Sequence, residues 1–167
     1  TPSATDKGTM KWKEVGIMSV SGENLTPELK PSIEHALHLN VYNANKDVNA
    51  IVHAHPVFSS SFTAMKAEIN TSLTAEARAI CGKPVLVPYE LMGTTELAGV
   101  VAKYSEGSDV MLLENHGIIT TGKNLLQAFD KLEVLENAAK MTLIVDMAGR
   151  KSPLGKSRII QIDKLFR

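Results

Sequence analysis

Two histidines lie two positions apart inside the apolar run AIVHAHPV, residues 50–57. The β-branched residues before them and Pro56 after them predict a strand over residues 48–55. Residues i and i+2 of a strand point to the same face, about 6.6 Å apart at Cα. The imidazoles of His53 and His55 could therefore bind one metal ion. A half-exposed strand face would explain the same pattern without any function, so a third ligand is needed to separate the two interpretations.

His116 is the best candidate for that third ligand. It follows the run VMLLEN and precedes Gly117, so it lies where a predicted strand ends. Strand ends commonly carry binding sites in sheets that helices cover. A turn histidine without a role is the alternative. Of the other histidines, His35 is expected to face solvent, and His38 is expected to pack beside or support Glu34 rather than bind a metal.

Glu34 is the carboxylate that such a site would use. It lies at the start of a helix predicted over residues 32–44, where apolar residues recur at four-residue steps and Ser32 is the expected cap. The N-terminus of a helix favours a negative side chain. Helix capping alone could therefore account for Glu34, and a role as an acid or base is the alternative.

The elements around these residues alternate between strands and helices, which indicates one sheet covered by helices on both faces. In the helix predicted over residues 124–148, Asn124 and Gln127 form a variant of the capping box. The other predicted helices cover residues 57–68, 74–81, 94–104 and 157–167. The other predicted strands cover residues 14–20 and 84–89 and part of 109–115.

Composition narrows the class of protein. The 167 residues fit one domain, 1–167, and the zero formal net charge gives no electrostatic case for binding nucleic acid or an anionic membrane. No apolar run approaches the roughly 20 residues of a membrane span. The single Cys81 fits a reducing cytoplasm. Because the chain starts without Met and already reads as the inside of a domain, we expect the N-terminal part of the domain to precede it.

The motifs PSIEHALH, NAIVHAHP, VPYELMGTTELA and LLENHGIITTG, in this order, resemble those of the class II aldolase and adducin family over nearly the whole chain. The resemblance implies a three-layer helix–sheet–helix sandwich around a mainly antiparallel, mixed sheet. It implies one Zn²⁺ per subunit, bound by His53, His55 and His116, with Glu34 as the catalytic acid/base. It also implies a homotetramer with active sites between subunits.

The reaction implied is retro-aldol cleavage of a ketose 1-phosphate, with L-fuculose 1-phosphate as the leading substrate. By the same resemblance the substrate would lie near Ser3, Ala4, Ser32 and Ile33. Two of these residues depart from the family pattern, because Ala4 stands for a glycine and Ile33 for a hydroxyl residue. Thr74 aligns with a tyrosine that a neighbouring subunit supplies in aldolases of the family.

Other functions remain compatible with this pattern. Epimerases, dehydratases and decarboxylases of the same family would use the same metal and are the nearest alternatives. An adducin-like interaction module would not need an intact ligand set. An unrelated iron oxygenase could use two histidines and a carboxylate, but the third histidine and the P-S-x-E context favour zinc.

Overall fold

The computed structural model describes residues 1–166, and Arg167 lies outside the described residues. The strands of this part of the chain are β1 (Ala50–Ala54), β2 (Val85–Val87), β3 (Val110–Leu113) and β4 (Ile118–Gly122). The α-helices are α1 (His35–Ala44), α2 (Val57–Met65), α3 (Ala75–Cys81), α4 (Thr95–Ser105), α5 (Leu125–Met147) and α6 (Lys156–Phe166). Short 3-10 turns occupy Trp12–Glu14 and Thr71–Leu73.

The four strands form one mixed sheet in the order β1-β4-β3-β2. β4 pairs antiparallel with both β1 and β3, whereas β2 pairs parallel with β3. A parallel pair needs a crossover connection, and α4 provides it between β2 and β3. The mainly antiparallel, mixed sheet expected from the sequence is confirmed.

Helices cover both faces of the sheet because side chains of β3 and β4 alternate between two hydrophobic clusters. Leu112 and Ile118 pack in a cluster closed by α2, α3 and α5. Their neighbours Met111 and Ile119 pack in a second cluster closed by α1 and α4. The alternation follows from the two-residue repeat of a strand. It produces the three layers that the sequence predicted.

The cap predicted for α5 is confirmed. Asn124 accepts a hydrogen bond from the amide of Gln127 at 2.9 Å, and the Gln127 side chain accepts one from the amide of Lys123 at 3.1 Å. Thr94 caps α4 in the same way through the amide of Leu97. These local bonds satisfy backbone N–H groups that the first helical turn leaves free.

The strand predicted over residues 14–20 is wrong. Residues 12–14 form a 3-10 turn instead, and the nearest strand-like contact is an isolated bridge between Met18 and Asn24. Val15, Ile17 and Val20 are exposed. The β-branched residues favour a strand, but none of the four strands of the sheet pairs with this segment, and β-propensity without a partner does not make a strand.

Candidate functional site

Strand pairing brings the three histidines of the motifs together. His53 lies in β1, His55 follows its last residue, and His116 lies in the turn between β3 and β4. Ala54 pairs with Ile118, so the end of β1 lies beside the start of β4. One ring nitrogen from each histidine lies within 4.8 Å of the others. The sequence predicted these residues as a group, and the structure places them as one.

The turn that carries His116 depends on Asn115. Asn115 has a φ of 53°, in the left-handed region that asparagine tolerates better than most residues. The amide of His116 donates to the carbonyl of Leu113 at 3.0 Å, which closes the turn. Asn115 was not among the predicted site residues, although an Asn before His-Gly at a strand end is a turn signal that could have identified it.

Gly117 leaves the space that the His55 ring occupies. A Cβ on Gly117 would lie 2.5 Å from Cδ2 of His55 and 2.8 Å from the carbonyl oxygen of Ala54. Any side chain at this position would therefore displace either the ring or the strand. The sequence marked Gly117 only as the end of a strand, because the contact joins residues that are distant in the chain.

His53 has a defined orientation. Its Nδ1 lies 2.9 Å from the carbonyl oxygen of Ile118, which can only accept, so Nδ1 carries the proton. In the neutral ring, Nε2 then presents a lone pair towards Oε2 of Glu34, 3.1 Å away. This Nε2 is buried and makes no hydrogen bond of acceptable geometry within residues 1–166. Two lone pairs facing each other at this distance fit a cation between or beside them.

The Glu34 carboxylate lies against the histidines instead of capping α1. Its Oε1 is 3.2 Å from Nε2 of His116, and its other oxygen contacts His53. Glu34 occupies the N-cap position of α1, but its side chain makes no capping hydrogen bond. Helix capping therefore does not explain this side chain.

The surroundings keep the other two rings neutral. Burial lowers the pKa of His55 and that of His116 below the ordinary value of a histidine. The Nδ1 of His116 is buried without a hydrogen-bond partner in the described part of the chain. Neutral imidazoles with free lone pairs are the form in which histidine binds a metal, so these donors fit a divalent ion such as Zn²⁺.

The two remaining histidines lie outside the cluster. Burial lowers the pKa of His38, one helical turn after Glu34, to about 4, which leaves a neutral ring as a packing or supporting residue would have. His35 is half-buried and does not simply face solvent as expected. Its Nδ1 lies 2.8 Å from the carbonyl oxygen of Ser32, which holds it against the start of α1.

The predicted substrate residues lie in two loops that touch. The Ser3 hydroxyl donates to the carbonyl of Pro31 at 3.0 Å, so the N-terminal loop lies against the loop before α1. There the Ser32 hydroxyl accepts from the amide of Glu34 at 3.3 Å and does not cap the helix as predicted, because α1 begins at His35. Ala4, where the family has glycine, has a φ of 56°, a conformation that favours glycine.

Ile33 and Thr74 occupy different surroundings. Ile33 is 55% exposed and lies beside Gly93, next to the catalytic candidate Glu34. Thr74 instead caps α3, where its hydroxyl accepts from the amide of Ala77 at 3.1 Å. Its local role is that of a helix cap, which accounts for a threonine at this position.

A model of the class II aldolase and adducin N-terminal domain matches residues 1–143 of this sequence. The chain belongs to this family. The family predicted from the motifs is therefore confirmed. Among residues 1–166, none of the helices combines the length and apolar character that crossing a membrane requires.

Relatives in the family carry different activities in their names. The chain is 37% identical to an L-fuculose phosphate aldolase of Methanocaldococcus jannaschii, over 86% of this chain and 77% of that protein. It is 32% identical to a 3-oxo-tetronate 4-phosphate decarboxylase of Pectobacterium atrosepticum, over 87% of this chain and 68% of that protein. Its structure matches an L-fuculose 1-phosphate aldolase at 30% identity with a TM-score of 0.89, covering 99% of this chain and 78% of that one.

Proposed function

We propose that the protein is a zinc-dependent aldolase that cleaves a ketose 1-phosphate. The leading substrate is L-fuculose 1-phosphate, which would give dihydroxyacetone phosphate and L-lactaldehyde. One observation carries the proposal, namely the clustering of three histidines beside a carboxylate that does not cap its helix. The aldolase named among the relatives supports the substrate class.

The chemistry requires stabilisation of negative charge. When the C–C bond beside a carbonyl group breaks, the bonding electrons become an enediolate. A zinc ion held by His53, His55 and His116 would act as the Lewis acid for this charge. Because the three ligands are neutral, they preserve the positive charge of the ion, and a three-ligand site leaves room for substrate oxygens.

Glu34 is the proposed acid/base. A glutamate is ordinarily ionised at neutral pH, so Glu34 must take up a proton before it can give one. The substrate hydroxyl that becomes the aldehyde loses a proton during cleavage, and this proton balances the later protonation of the enediolate carbon. The carboxylate lies beside both His53 and His116, which supports this role because a substrate on a metal held there would be within its reach.

The substrate phosphate would lie near the start of α1. Free backbone N–H groups at the N-terminus of a helix favour an anion. The loop before α1 carries Ser32 and Ile33, and the adjoining loop carries Ser3 and Ala4. A phosphate bound there would leave the carbon chain of the substrate directed towards Glu34.

Metal analysis of single histidine variants tests the site. His53→Ala, His55→Ala and His116→Ala should each lose zinc, whereas His35→Ala should retain it because His35 lies outside the cluster. Zinc per chain is measured by elemental analysis after dialysis. Full zinc occupancy in His116→Ala would remove that residue from the site.

A substrate screen tests the reaction. The zinc-loaded protein should release dihydroxyacetone phosphate from L-fuculose 1-phosphate or a related ketose 1-phosphate, detected by a coupled assay. Decarboxylation is the second candidate, favoured by the relative named as a 3-oxo-tetronate 4-phosphate decarboxylase. Release of CO₂ from 3-oxo acid phosphates, with no triose phosphate from any ketose, would favour it. An epimerase would return a sugar phosphate of unchanged carbon number.

The proposal includes a homotetramer with active sites between subunits. Exposed apolar side chains at the start of α5, namely Leu125, Leu126 and Phe129, are compatible with a contact between copies. Light scattering at micromolar concentration checks the assembly. A stable monomer that retains full activity would contradict both the tetramer and the intersubunit site.

A further inference from the structure

Helix α2 begins directly after the His-x-His pair without a cap of its own. Its N-cap residue is Pro56, which has no side-chain acceptor, and the first helical residues are Val57, Phe58 and Ser59. The N–H groups at the second and third helical positions normally bond to the side chain of the N-cap residue. At α2 these groups need an acceptor from elsewhere in the chain.

Glu136 of α5 provides that acceptor. Its Oε1 accepts from the amide of Phe58 at 2.8 Å, and its Oε2 accepts from the amide of Ser59 at 2.8 Å. The Ser59 hydroxyl donates to the same Oε2 at 2.7 Å. These are three charge-assisted bonds, and the helix dipole adds to them because a carboxylate lies at the positive end.

The bonds fix the point at which the chain leaves β1. His55 is separated from Phe58 by only two residues, Pro56 and Val57, and Pro56 restricts the backbone further because its ring fixes φ. The carboxylate of Glu136 thus joins the backbone just after His55 to the long helix α5. If this join were lost, the start of α2 could shift and carry His55 with it.

His55 depends on its backbone more than the other two histidines do. The ring of His53 is held by the carbonyl of Ile118, whereas the ring of His55 makes no hydrogen bond among residues 1–166 and is exposed. Its ring touches His53 and His116, and the space for it is left by Gly117. The direction of the backbone is therefore the main constraint on this ring.

We propose that Glu136 is a positioning residue that holds His55 in the metal-binding geometry by capping α2 from α5. The inference rests on the proposed metal site and adds a residue to it that the motifs do not contain. Glu136 touches neither substrate nor metal in this proposal. Groups that hydrogen-bond a metal ligand directly typically change metal affinity by about 10–100-fold when they are replaced. Glu136 acts through the backbone after His55, so we expect an effect at the lower end of that range.

A double-mutant cycle separates positioning from simple stabilisation. Zinc affinity is measured by competition with a chromophoric chelator for the full chain, Glu136→Gln, His55→Ala and the double variant. Glu136→Gln should weaken zinc binding about 10-fold. In the His55→Ala background it should weaken binding no further, because the residue that Glu136 positions is already gone. The melting temperature should fall in both backgrounds.

Two further variants accompany the cycle, one as a control and one as a milder test. Glu133→Gln makes the same charge change at an exposed position of α5, one turn earlier, and should leave zinc affinity unchanged. Ser59→Ala removes one of the three bonds and should weaken zinc binding less than Glu136→Gln does. It gives a milder measurement of the same effect if Glu136→Gln does not fold.

The other outcomes would overturn either the role of Glu136 or the metal site on which it rests. Unchanged zinc affinity in Glu136→Gln and Ser59→Ala, with a lower melting temperature, would show that Glu136 only stabilises the helix and would overturn the inference. Equal weakening with and without His55 would overturn it too, because the effect would not pass through His55. Undiminished zinc binding in His55→Ala alone would instead overturn the proposed metal site and, with it, the role of Glu136.

Discussion

The histidine cluster is positioned by paired strands, whereas the N-terminal segment, residues 1–31, consists mostly of loops and turns. Two cluster residues lie in or beside β1, and the third lies in a tight turn between two strands of the same sheet. The N-terminal segment has one 3-10 turn and one isolated bridge, and it exposes large side chains such as Trp12. The proposed chemistry is thus placed on paired backbone, and much of the proposed substrate contact is placed on loops.

Because of this difference, substitutions in the cluster should have other effects than substitutions in the loops. Backbone hydrogen bonds of the sheet fix the positions of the cluster residues. The energetic cost of a substitution there therefore cannot be relieved by local movement of the chain. The loops around Ser3 and Ile33 lie outside the sheet and have already departed from the family pattern at Ala4 and Ile33. We therefore expect large effects on rate in the cluster and smaller effects on affinity and stability in the loops.

Replacing Glu34 with Gln should have the largest effect. The amide keeps the size of the side chain but cannot take up the proton, so cleavage should fall by about 10²–10⁴, the usual range for a general acid/base. Zinc content should stay near normal, because three histidines suffice to hold the ion. The assay measures triose phosphate release at saturating substrate together with zinc per chain.

Glu28→Gln is the matched control in the N-terminal segment, where Glu28 is exposed. It should leave the rate unchanged. If Glu34→Gln turns over as fast as the parent with zinc bound in both, the acid/base assignment is wrong. If Glu28→Gln lowers the rate as much as Glu34→Gln, the contrast between the two regions fails.

Gly117→Ala should disturb the cluster through packing alone. The added Cβ would lie 2.5 Å from the His55 ring, and relief by movement in a packed region costs about 1–3 kcal/mol. We expect a lower melting temperature and weaker zinc binding. Gly99→Ala in α4 is the control, because no atom lies within 4 Å of its added Cβ and alanine favours a helix. A Gly117→Ala protein with parental zinc affinity would show that the His55 ring is free to move.

Ile33→Ser tests the loop that is proposed to bind phosphate. A hydroxyl at this exposed position could donate to the phosphate, and a hydrogen bond to a charged group contributes about 1.5–3 kcal/mol. The KM for the phosphorylated ketose should fall about tenfold with little change in kcat. Ile33→Val is the control without a donor. A KM that is the same in all three proteins would place the phosphate elsewhere.

Ala4→Gly should have the smallest effect, and it is a stabilising one. A non-glycine residue in the left-handed region costs about 1–2 kcal/mol, part of which glycine loses again through its greater freedom in the unfolded chain. The net gain should be below about 1 kcal/mol, seen as a slightly higher melting temperature. Ala64→Gly in α2 is the control and should destabilise. A lower melting temperature for Ala4→Gly would mean that the φ of 56° carries no strain.

The sequence predicted what depends on local pattern. Asn124 caps its helix as expected, and β1 lies within the predicted strand. The motif histidines were identified because strand alternation and strand ends are visible in the sequence. The predicted strand over residues 14–20 was wrong because its formation depends on a pairing partner, which no local pattern reports.

What the sequence missed depends on contacts between distant residues. The clearance between Gly117 and His55, and the bonds from Glu136 to α2, join positions that no local pattern connects. One hint was present, since Pro56 before a predicted helix offers no side-chain cap, and its helix must find an acceptor elsewhere. That hint indicates a missing partner but does not identify it.

The proposed zinc site would report completed folding, because it requires β1 to be paired with β4. The hydrogen bond between His53 and the carbonyl of Ile118 spans 65 residues of chain, so His116 joins the other two ligands only after a long loop has closed. In the denatured chain His116 is not held near the His-x-His pair, so the three ligands are not assembled. A metal that binds the native state so much better raises the free energy of unfolding in proportion to the logarithm of its free concentration. Refolding without zinc should therefore proceed through the same strand pairing, and added zinc should slow unfolding more than it speeds folding.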